Sequence, residues 1–132
     1  MAGEARRLLA GATPITVGLG RVHYHPQAVV LPVDPIRALD PVLDAVRAAT
    51  HFAGCGGHTD TDPWLPHVSV AYSRGTGPAA PVIAALGLRL PPIAATIRSV
   101  SLVAQTQVGH SWQWRLVAEA PLSGSRTPPG TP

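Results

Sequence analysis

An imidazole and a hydroxyl group lie two residues apart in the sequence WLPHVSVAY, which covers residues 64–72. Polar and apolar residues alternate in this segment, a pattern that predicts a β-strand, and residues i and i+2 of a strand share one face of the sheet. We therefore expect His67 and Ser69 to point to one side, and Tyr72 to point to the other side with the neighbouring valines.

This pair of side chains suits acid–base chemistry beside a phosphate. In-line displacement at phosphorus needs one group that takes a proton from the attacking oxygen and another that gives a proton to the leaving oxygen. Histidine titrates near neutral pH and can do either, and a short hydroxyl group stabilises charge on the phosphoryl oxygens. The chain contains a single His-x-Ser unit, although this chemistry uses two acid–base groups.

Two other interpretations compete with this one. His67 and Ser69 could be a structural pair, hydrogen-bonded within a half-buried sheet. A group of potential ligands in and before a glycine-rich loop could bind a metal, but its spacing matches no zinc site, so we expect a solvated loop. The residues of this group are His51, Cys55, His58, Asp60 and Asp62.

Two roles are possible for the three tryptophans, core packing and stacking on a nucleobase. Trp112 and Trp114 share a strand face with Leu116, which predicts that at least one of them packs in the core. Stacking on a nucleobase is the second interpretation, and it applies to Trp64 as well. Arg115 alternates with the tryptophans of the last strand and is expected on the opposite face.

Helices and strands are interspersed along the chain. Residues 3–10 predict a short helix, followed by strands at 15–22 and 27–33 that form an antiparallel pair. The next helix begins at Asp34-Pro35 or at Asp40-Pro41, since both pairs combine a good N-cap with a proline suited to the first turn. A loop at 54–66 precedes the His67 strand, and a helix at 78–86 and strands at 97–104 and 112–120 follow it.

This order of mostly antiparallel strands with interspersed helices predicts an α+β domain. We expect one domain over residues 1–122, built from two antiparallel-sheet lobes flanked by helices. The second lobe covers 64–122, and the first lobe, at 1–53, is incomplete because it lacks its first strand. Residues 123–132 are rich in Ser, Gly, Pro and Thr and predict a disordered tail.

Composition narrows the class of protein. The formal net charge is +3, and all ten Lys and Arg side chains are arginine. The basic residues form no dense patch in the sequence, which argues against a generic electrostatic nucleic-acid binder. A single cysteine, Cys55, excludes an internal disulfide framework and favours a reducing compartment. No apolar stretch approaches the ~20 residues of a membrane span, so we expect a cytoplasmic protein without a membrane partner.

The segment around His67, set in this order of elements, resembles the 2H phosphoesterases, a superfamily that includes the bacterial 2′-5′ RNA ligases and RNA 2′,3′-cyclic phosphodiesterases. The resemblance implies two facing lobes, each with a His-x-Thr/Ser motif whose histidine is a general acid or base and whose hydroxyl binds phosphate. It implies no metal or other cofactor, and RNA ends or a cyclic nucleotide as substrate. It assigns catalysis to His67 and Ser69, and substrate binding to Trp64 and Tyr72.

The chain departs from the family pattern in one respect. The family's first motif precedes the helix that leads to the strand at Ile15, and here that helix begins almost at Met1. The sequence His23-Tyr24-His25 has no Ser or Thr at its third position and falls after the expected place. We therefore expect a 2H protein that lacks its N-terminal strand and first motif, a pattern that a mis-assigned start codon, a truncated gene or a decayed paralogue would each produce.

Three functional hypotheses follow. The first is an enzyme that acts on RNA 2′,3′-cyclic phosphates or 2′-5′ phosphodiesters and is impaired because one motif is missing. The second is a non-catalytic remnant of that fold that binds RNA ends, nucleotides or a partner. In the third, two chains complement each other as a homodimer through the incomplete lobe.

Overall fold

The computed structural model describes residues 2–54 and 64–124. Within these ranges the elements run in the order α1 (Ala2–Leu9), β1 (Ile15–Arg21), β2 (His23–Tyr24), β3 (Ala28–Pro32), α2 (Asp40–Phe52), β4 (His67–Tyr72), α3 (Ala80–Leu86), β5 (Arg89–Ile97), β6 (Ser99–Val108) and β7 (Ser111–Pro121). The pairs β2–β3, β3–β4 and β6–β7 are antiparallel. This mixture of helices and antiparallel strands confirms the predicted α+β class.

One compact unit combines α1 and α2 with the β6–β7 hairpin. Apolar residues recur along α2 at spacings of three and four, which gives the helix one apolar face. Val42 on that face packs with Leu9 of α1 and with Ala120 and Leu122 at the end of the hairpin, and these four side chains form the buried core of the unit. The guanidinium of Arg6 also donates a hydrogen bond to the Glu119 carbonyl oxygen at 3.0 Å.

The second compact unit combines β2, β3, β4 and α3 with most of β1 and β5. Strand β3 lies between β2 and β4 in a three-stranded sheet. Both faces of this central strand are covered, because the consecutive residues Val30 and Leu31 are only 2% and 6% exposed. The site residues on β4 therefore lie beside a strand that is fixed by burial on both sides.

The structure decides two points that the sequence left open. Helix α2 begins at Asp40, so the second of the two proline-containing start signals is the one used. Strand β5 was not predicted, because Pro91 and Pro92 interrupt its alternation. In the structure β5 pairs with β1 in a two-stranded sheet, and an edge position tolerates prolines that cannot donate a ladder hydrogen bond.

The structure describes the start of the predicted tail but does not test the predicted lobes. Each compact unit combines segments from both halves of the chain, so the lobes at 1–53 and 64–122 stay a prediction. The first two residues of the predicted tail are hydrogen-bonded, since the Ser123 hydroxyl donates to the Ala10 carbonyl at 3.1 Å and the Gly124 amide donates to the Ala12 carbonyl at 2.9 Å. Residues 125–132 lie outside the described ranges.

An ion pair on α1 should make stability depend on pH. The Nη2 atom of Arg7 lies 2.5 Å from Oε1 of Glu4, and this hydrogen bond lowers the pKa of Glu4 below its ordinary value of 4.5. Because the folded-state pKa is the lower one, the pair stabilises the fold above about pH 4.5 and ceases to do so as the pH falls through the folded-state value.

We expect Glu4→Gln to reduce the acid-side slope of the unfolding free energy against pH, by a small amount because Arg7 is exposed. Urea unfolding between about pH 3 and pH 6 at low salt measures this slope. Added salt should bring the parent and the variant together, because it screens the pair. Equal slopes at low salt would contradict this assignment.

Candidate functional site

Strand β4 carries the candidate site. Main-chain hydrogen bonds join the residues just before and just after β4 to the residues that flank β3. The Val33 amide donates to the Pro66 carbonyl at 2.9 Å, just before β4 begins, and the Ser73 amide donates to the Gln27 carbonyl at 2.8 Å, just after it ends. His67 is therefore the first residue of a strand whose entry and exit are both fixed by main-chain hydrogen bonds.

A β-bulge at Val70 changes the side to which Tyr72 points. The partners across β3 and β4 are Ala28–Tyr72, Val29–Ala71, Val30–Ser69, Leu31–Val68 and Pro32–His67. Val70 has no partner in this ladder, so it is an extra residue, and the strand resumes its alternation one position later. His67, Ser69 and Tyr72 thus lie opposite alternate residues of β3 and share one face, which we call the His67 face.

This finding corrects the sequence-based expectation for Tyr72. Simple alternation predicted that Tyr72 points away from Ser69, because an even spacing places residues on one face and an odd spacing on opposite faces. The bulge inserts one residue between them, and the odd spacing now keeps both on the same face. Tyr72 is 74% exposed, so its ring is accessible to a ligand on this face.

The His67 imidazole is oriented by a local hydrogen bond. Its Nδ1 atom lies 2.6 Å from the carbonyl oxygen of Leu65. A carbonyl oxygen only accepts, so Nδ1 carries the proton in this bond, and the neutral ring keeps an unprotonated Nε2. His67 is exposed. The ring can therefore take a proton at Nε2 from a group outside the protein, and it can return that proton once it is charged.

Ser69 supplies a hydroxyl group next to this imidazole. It lies two residues from His67 on the same strand face and is half-buried. A serine hydroxyl can donate one hydrogen bond and accept others. The Ser69 hydroxyl can donate a hydrogen bond to an oxygen of an anionic ligand while the exposed His67 ring accepts or donates a proton.

A cavity of about 380 Å³ lies beside the Tyr72 end of β4. Its wall includes Tyr24, His25, Tyr72 and Ser73, so rings and hydroxyl groups from β2 and β4 meet there. Its volume is within the range of small-molecule sites, about 300–1,000 Å³. Sequence reasoning missed Tyr24 and Ser73 as cavity residues, because only the pairing of β2, β3 and β4 brings them together.

Trp64 lies before the opposite end of β4 and is 43% exposed. The two aromatic residues predicted to bind substrate, Trp64 and Tyr72, therefore flank the strand at its two ends.

The prediction of a core tryptophan on β7 was wrong. Trp112 and Trp114 are 59% and 69% exposed, and they pair with Gln107 and Gln105 on β6. The buried residue of β7 is Ala120, near its other end, where the hairpin meets the helices of its unit. The tryptophans lie at the start of the strand, away from that core.

The suggested metal cluster lies mostly outside the described residues, since Cys55, His58, Asp60 and Asp62 are not among them. Within residues 2–54 and 64–124, no three His, Cys, Asp or Glu side chains gather as a metal site would require. None of the helices in the described part of the chain is long and apolar enough to cross a lipid bilayer.

Comparisons with known proteins agree with the fold. A search of the curated proteins finds no match. The crystal structure of TT0787 from Thermus thermophilus aligns with a TM-score of 0.62 and 16% sequence identity, over 94% of this chain and 69% of that one. At this identity the likeness is one of fold. The family model of the 2′-5′ RNA ligase superfamily matches residues 1–109. The chain therefore belongs to the 2′-5′ RNA ligase superfamily, whose members are 2H phosphoesterases.

Proposed function

We propose that this protein is a phosphoesterase that acts on RNA 2′,3′-cyclic phosphates or 2′-5′ phosphodiesters. The observation that carries the proposal is the His67 face: an exposed imidazole whose Nδ1 is bonded to Leu65, with a hydroxyl from Ser69 beside it. Family membership supports the substrate class. No cofactor is needed for this chemistry, because proton transfer and charge stabilisation come from the side chains.

In the proposed reaction on a cyclic phosphate, a water oxygen attacks phosphorus while Nε2 of His67 takes one of its protons. The bond between phosphorus and the ribose oxygen breaks, that oxygen takes a proton from a solvent water, and His67 returns its own proton to solvent. Ser69 donates a hydrogen bond to a non-bridging oxygen, where negative charge increases in the transition state. A single His-x-Ser motif supplies one of the two proton transfers, so we expect slow turnover from His67 and Ser69 alone.

The direct test uses cytidine 2′,3′-cyclic phosphate and a 2′-5′-linked dinucleotide as substrates for the purified protein, with products separated by chromatography. Hydrolysis of either substrate supports the proposal. Nucleotide binding without turnover favours a non-catalytic binding protein. If the protein neither binds nor turns over these substrates, the proposed substrate class is contradicted.

The role of Ser69 gives a sharper prediction. We expect Ser69→Ala to lower kcat by about 10-fold or more, since a lost donor to a developing oxyanion costs up to about 10²–10³ in rate. Ser69→Thr keeps the hydroxyl and suits a strand, so it should retain most of the activity. If both variants were as active as the parent, Ser69 would not bind the phosphate.

A second candidate function is binding without catalysis. The cavity beside Tyr72 favours it, because rings from Tyr24, His25 and Tyr72 offer surfaces on which a nucleobase can stack. In that case nucleotide affinity would fall in Tyr72→Ala and would be unaffected by His67→Gln. Titration calorimetry with the product nucleotide separates this function from an enzyme.

Homodimer formation is a further proposal; its predicted route through the incomplete first lobe at 1–53 stays a prediction. A separate contact surface is available on β7, in the predicted second lobe, where Trp112, Trp114 and Leu116 are 59%, 69% and 55% exposed. Sedimentation velocity over a range of concentrations tests it. The cytoplasmic location stays a prediction from the single cysteine.

A further inference from the structure

We propose that one face of the β6–β7 hairpin binds single-stranded RNA by stacking bases on Trp112 and Trp114, an inference that rests on the proposed function for its class of ligand. Trp112 pairs with Gln107 across the hairpin, and Trp114 pairs with Gln105. Partners in antiparallel strands share a face, and residues two apart on one strand do so as well. The four side chains therefore lie together on one surface, which we call the Trp–Gln face.

The two indole rings are open to a ligand. Trp112 and Trp114 are 59% and 69% exposed, and the two glutamines beside them are exposed as well. The Cα atoms of the tryptophans are about 7 Å apart, because two residue steps along a strand separate them. Successive bases of a single strand stack on aromatic side chains arranged along a binding surface. Each ring can thus take one base of an extended single strand.

The glutamines give this surface a second means of holding a base. Gln105 and Gln107 each carry a side-chain amide, which both donates and accepts hydrogen bonds. The bases of single-stranded RNA expose their Watson–Crick edges, and proteins read these edges by hydrogen bonds beside the stacked rings. One amide stands opposite each tryptophan, so a group for stacking and a group for hydrogen bonding occur together twice along the hairpin.

The charges of the hairpin suit a polyanion. All seven Asp and Glu residues of the chain lie at position 62 or before it, or at position 119. Glu119 is five residues beyond Trp114, and its carboxylate accepts a hydrogen bond from the Ser99 hydroxyl at 2.5 Å. Arg115 follows Trp114 and pairs with Ala104 on the opposite face. A phosphate chain along the Trp–Gln face therefore meets no carboxylate of the hairpin before Glu119, and an arginine of the same strand adds positive potential.

The hairpin is ordered at both ends of the Trp–Gln face. Gly109 has a φ of 62° and begins the two-residue turn between β6 and β7, where glycine adopts a positive φ without a steric cost. The pairing is regular from this turn to Val103–Leu116, and Ala120 packs in the core near the other end of β7. A surface that is already ordered loses less entropy when it binds a ligand.

A protein contact is the competing explanation, since exposed tryptophans also occur at interfaces between proteins. Two observations favour RNA. A glutamine amide stands opposite each ring, whereas the centre of a protein interface is more apolar. The hairpin also carries no acidic residue before Glu119, which suits an anionic partner. A second copy of the chain on the Trp–Gln face is therefore an outcome that the test must distinguish.

The test measures the affinity of the full chain for a fluorescein-labelled single-stranded hexaadenylate by fluorescence anisotropy. We expect Trp114→Leu to raise the Kd about 10-fold, the effect of losing one base stacked on an aromatic ring. Trp114→Phe keeps a ring and should retain most of the affinity. Gln105→Glu places a carboxylate of nearly the same shape on the Trp–Gln face and should weaken binding by repulsion of phosphate.

Two controls show that stacking is the cause. Phe52→Leu removes an aromatic ring that is 75% exposed on α2, outside the hairpin, and should leave the Kd unchanged. An RNA duplex made from the same hexaadenylate and its complement should bind more weakly than the single strand, because its bases are already stacked on each other and their edges are paired.

The outcomes separate this proposal from the proposed function, because hydrolysis of cytidine 2′,3′-cyclic phosphate by the parent is measured in parallel. If the parent hydrolyses the cyclic nucleotide but binds the hexaadenylate no better than Trp114→Leu does, the Trp–Gln face has no such role and the proposed function stands. If the parent binds the hexaadenylate through Trp114 without any turnover, the enzymatic function fails and the Trp–Gln face stands. Self-association in sedimentation velocity that Trp114→Leu abolishes, with no change in RNA affinity, would assign the face to a dimer and overturn the proposal.

Discussion

His67→Ala should lower kcat/KM for a 2′,3′-cyclic nucleotide by at least about 10²-fold, because general acid–base catalysis typically contributes about 10²–10⁴-fold. The ring is exposed, and its Nδ1–H is bonded to the Leu65 carbonyl. The substitution therefore removes the group that accepts a proton at Nε2 and leaves the buried core untouched. We expect the unfolding free energy to change by no more than about 0.5 kcal/mol, as at other surface positions.

Chemical rescue distinguishes loss of a proton acceptor from loss of structure. Imidazole added to His67→Ala should restore part of the rate, since the exposed position of the missing ring is open to solvent. The same addition should not restore Ser69→Ala, which lacks a hydrogen-bond donor to phosphate and not a base. A His67→Ala protein that turns over as fast as the parent would eliminate His67 from the mechanism.

Leu9→Ala should destabilise the fold by about 2–5 kcal/mol, the cost of removing a buried leucine side chain and leaving a cavity. Leu9 is completely buried and packs with Val42, Ala120 and Leu122. It thus joins α1, α2 and the end of β7 in one core. Denaturant unfolding followed by circular dichroism measures the change.

Leu88→Ala provides the matched control, because the same atoms are removed from a side chain that is 71% exposed. We expect this variant to lie within about 0.5 kcal/mol of the parent. The difference between the two variants reports burial at position 9. Comparable destabilisation by both would show that Leu9 is not a core residue of the folded protein.

Local sequence rules predicted the elements whose signals do not depend on distant partners. The helix with Val42 and Val46 on one face, and the two strands joined by the Gly109 turn, appear close to their predicted positions. Strand β5 was missed because Pro91 and Pro92 argue against a strand unless its neighbour is known. Its pairing with β1 is a contact between distant parts of the chain, which periodicity does not report.

The same distinction holds within the candidate site. The common face of His67 and Ser69 follows from a spacing of two on one strand. The position of Tyr72 depends on the extra residue Val70 in the ladder. This is a property of strand pairing, so it could be read only from the structure.

The bulge in β4 has a consequence for how relatives of this protein are compared. An aromatic residue three positions after the motif serine points to the ligand side here, whereas in an unbroken strand the equivalent ring would stand two positions after it. An alignment that treats the two spacings as different would separate proteins with the same ring placement. Deleting the single residue Val70 should therefore remove the bulge, leave Tyr72 two positions after the serine and keep its ring on the ligand side.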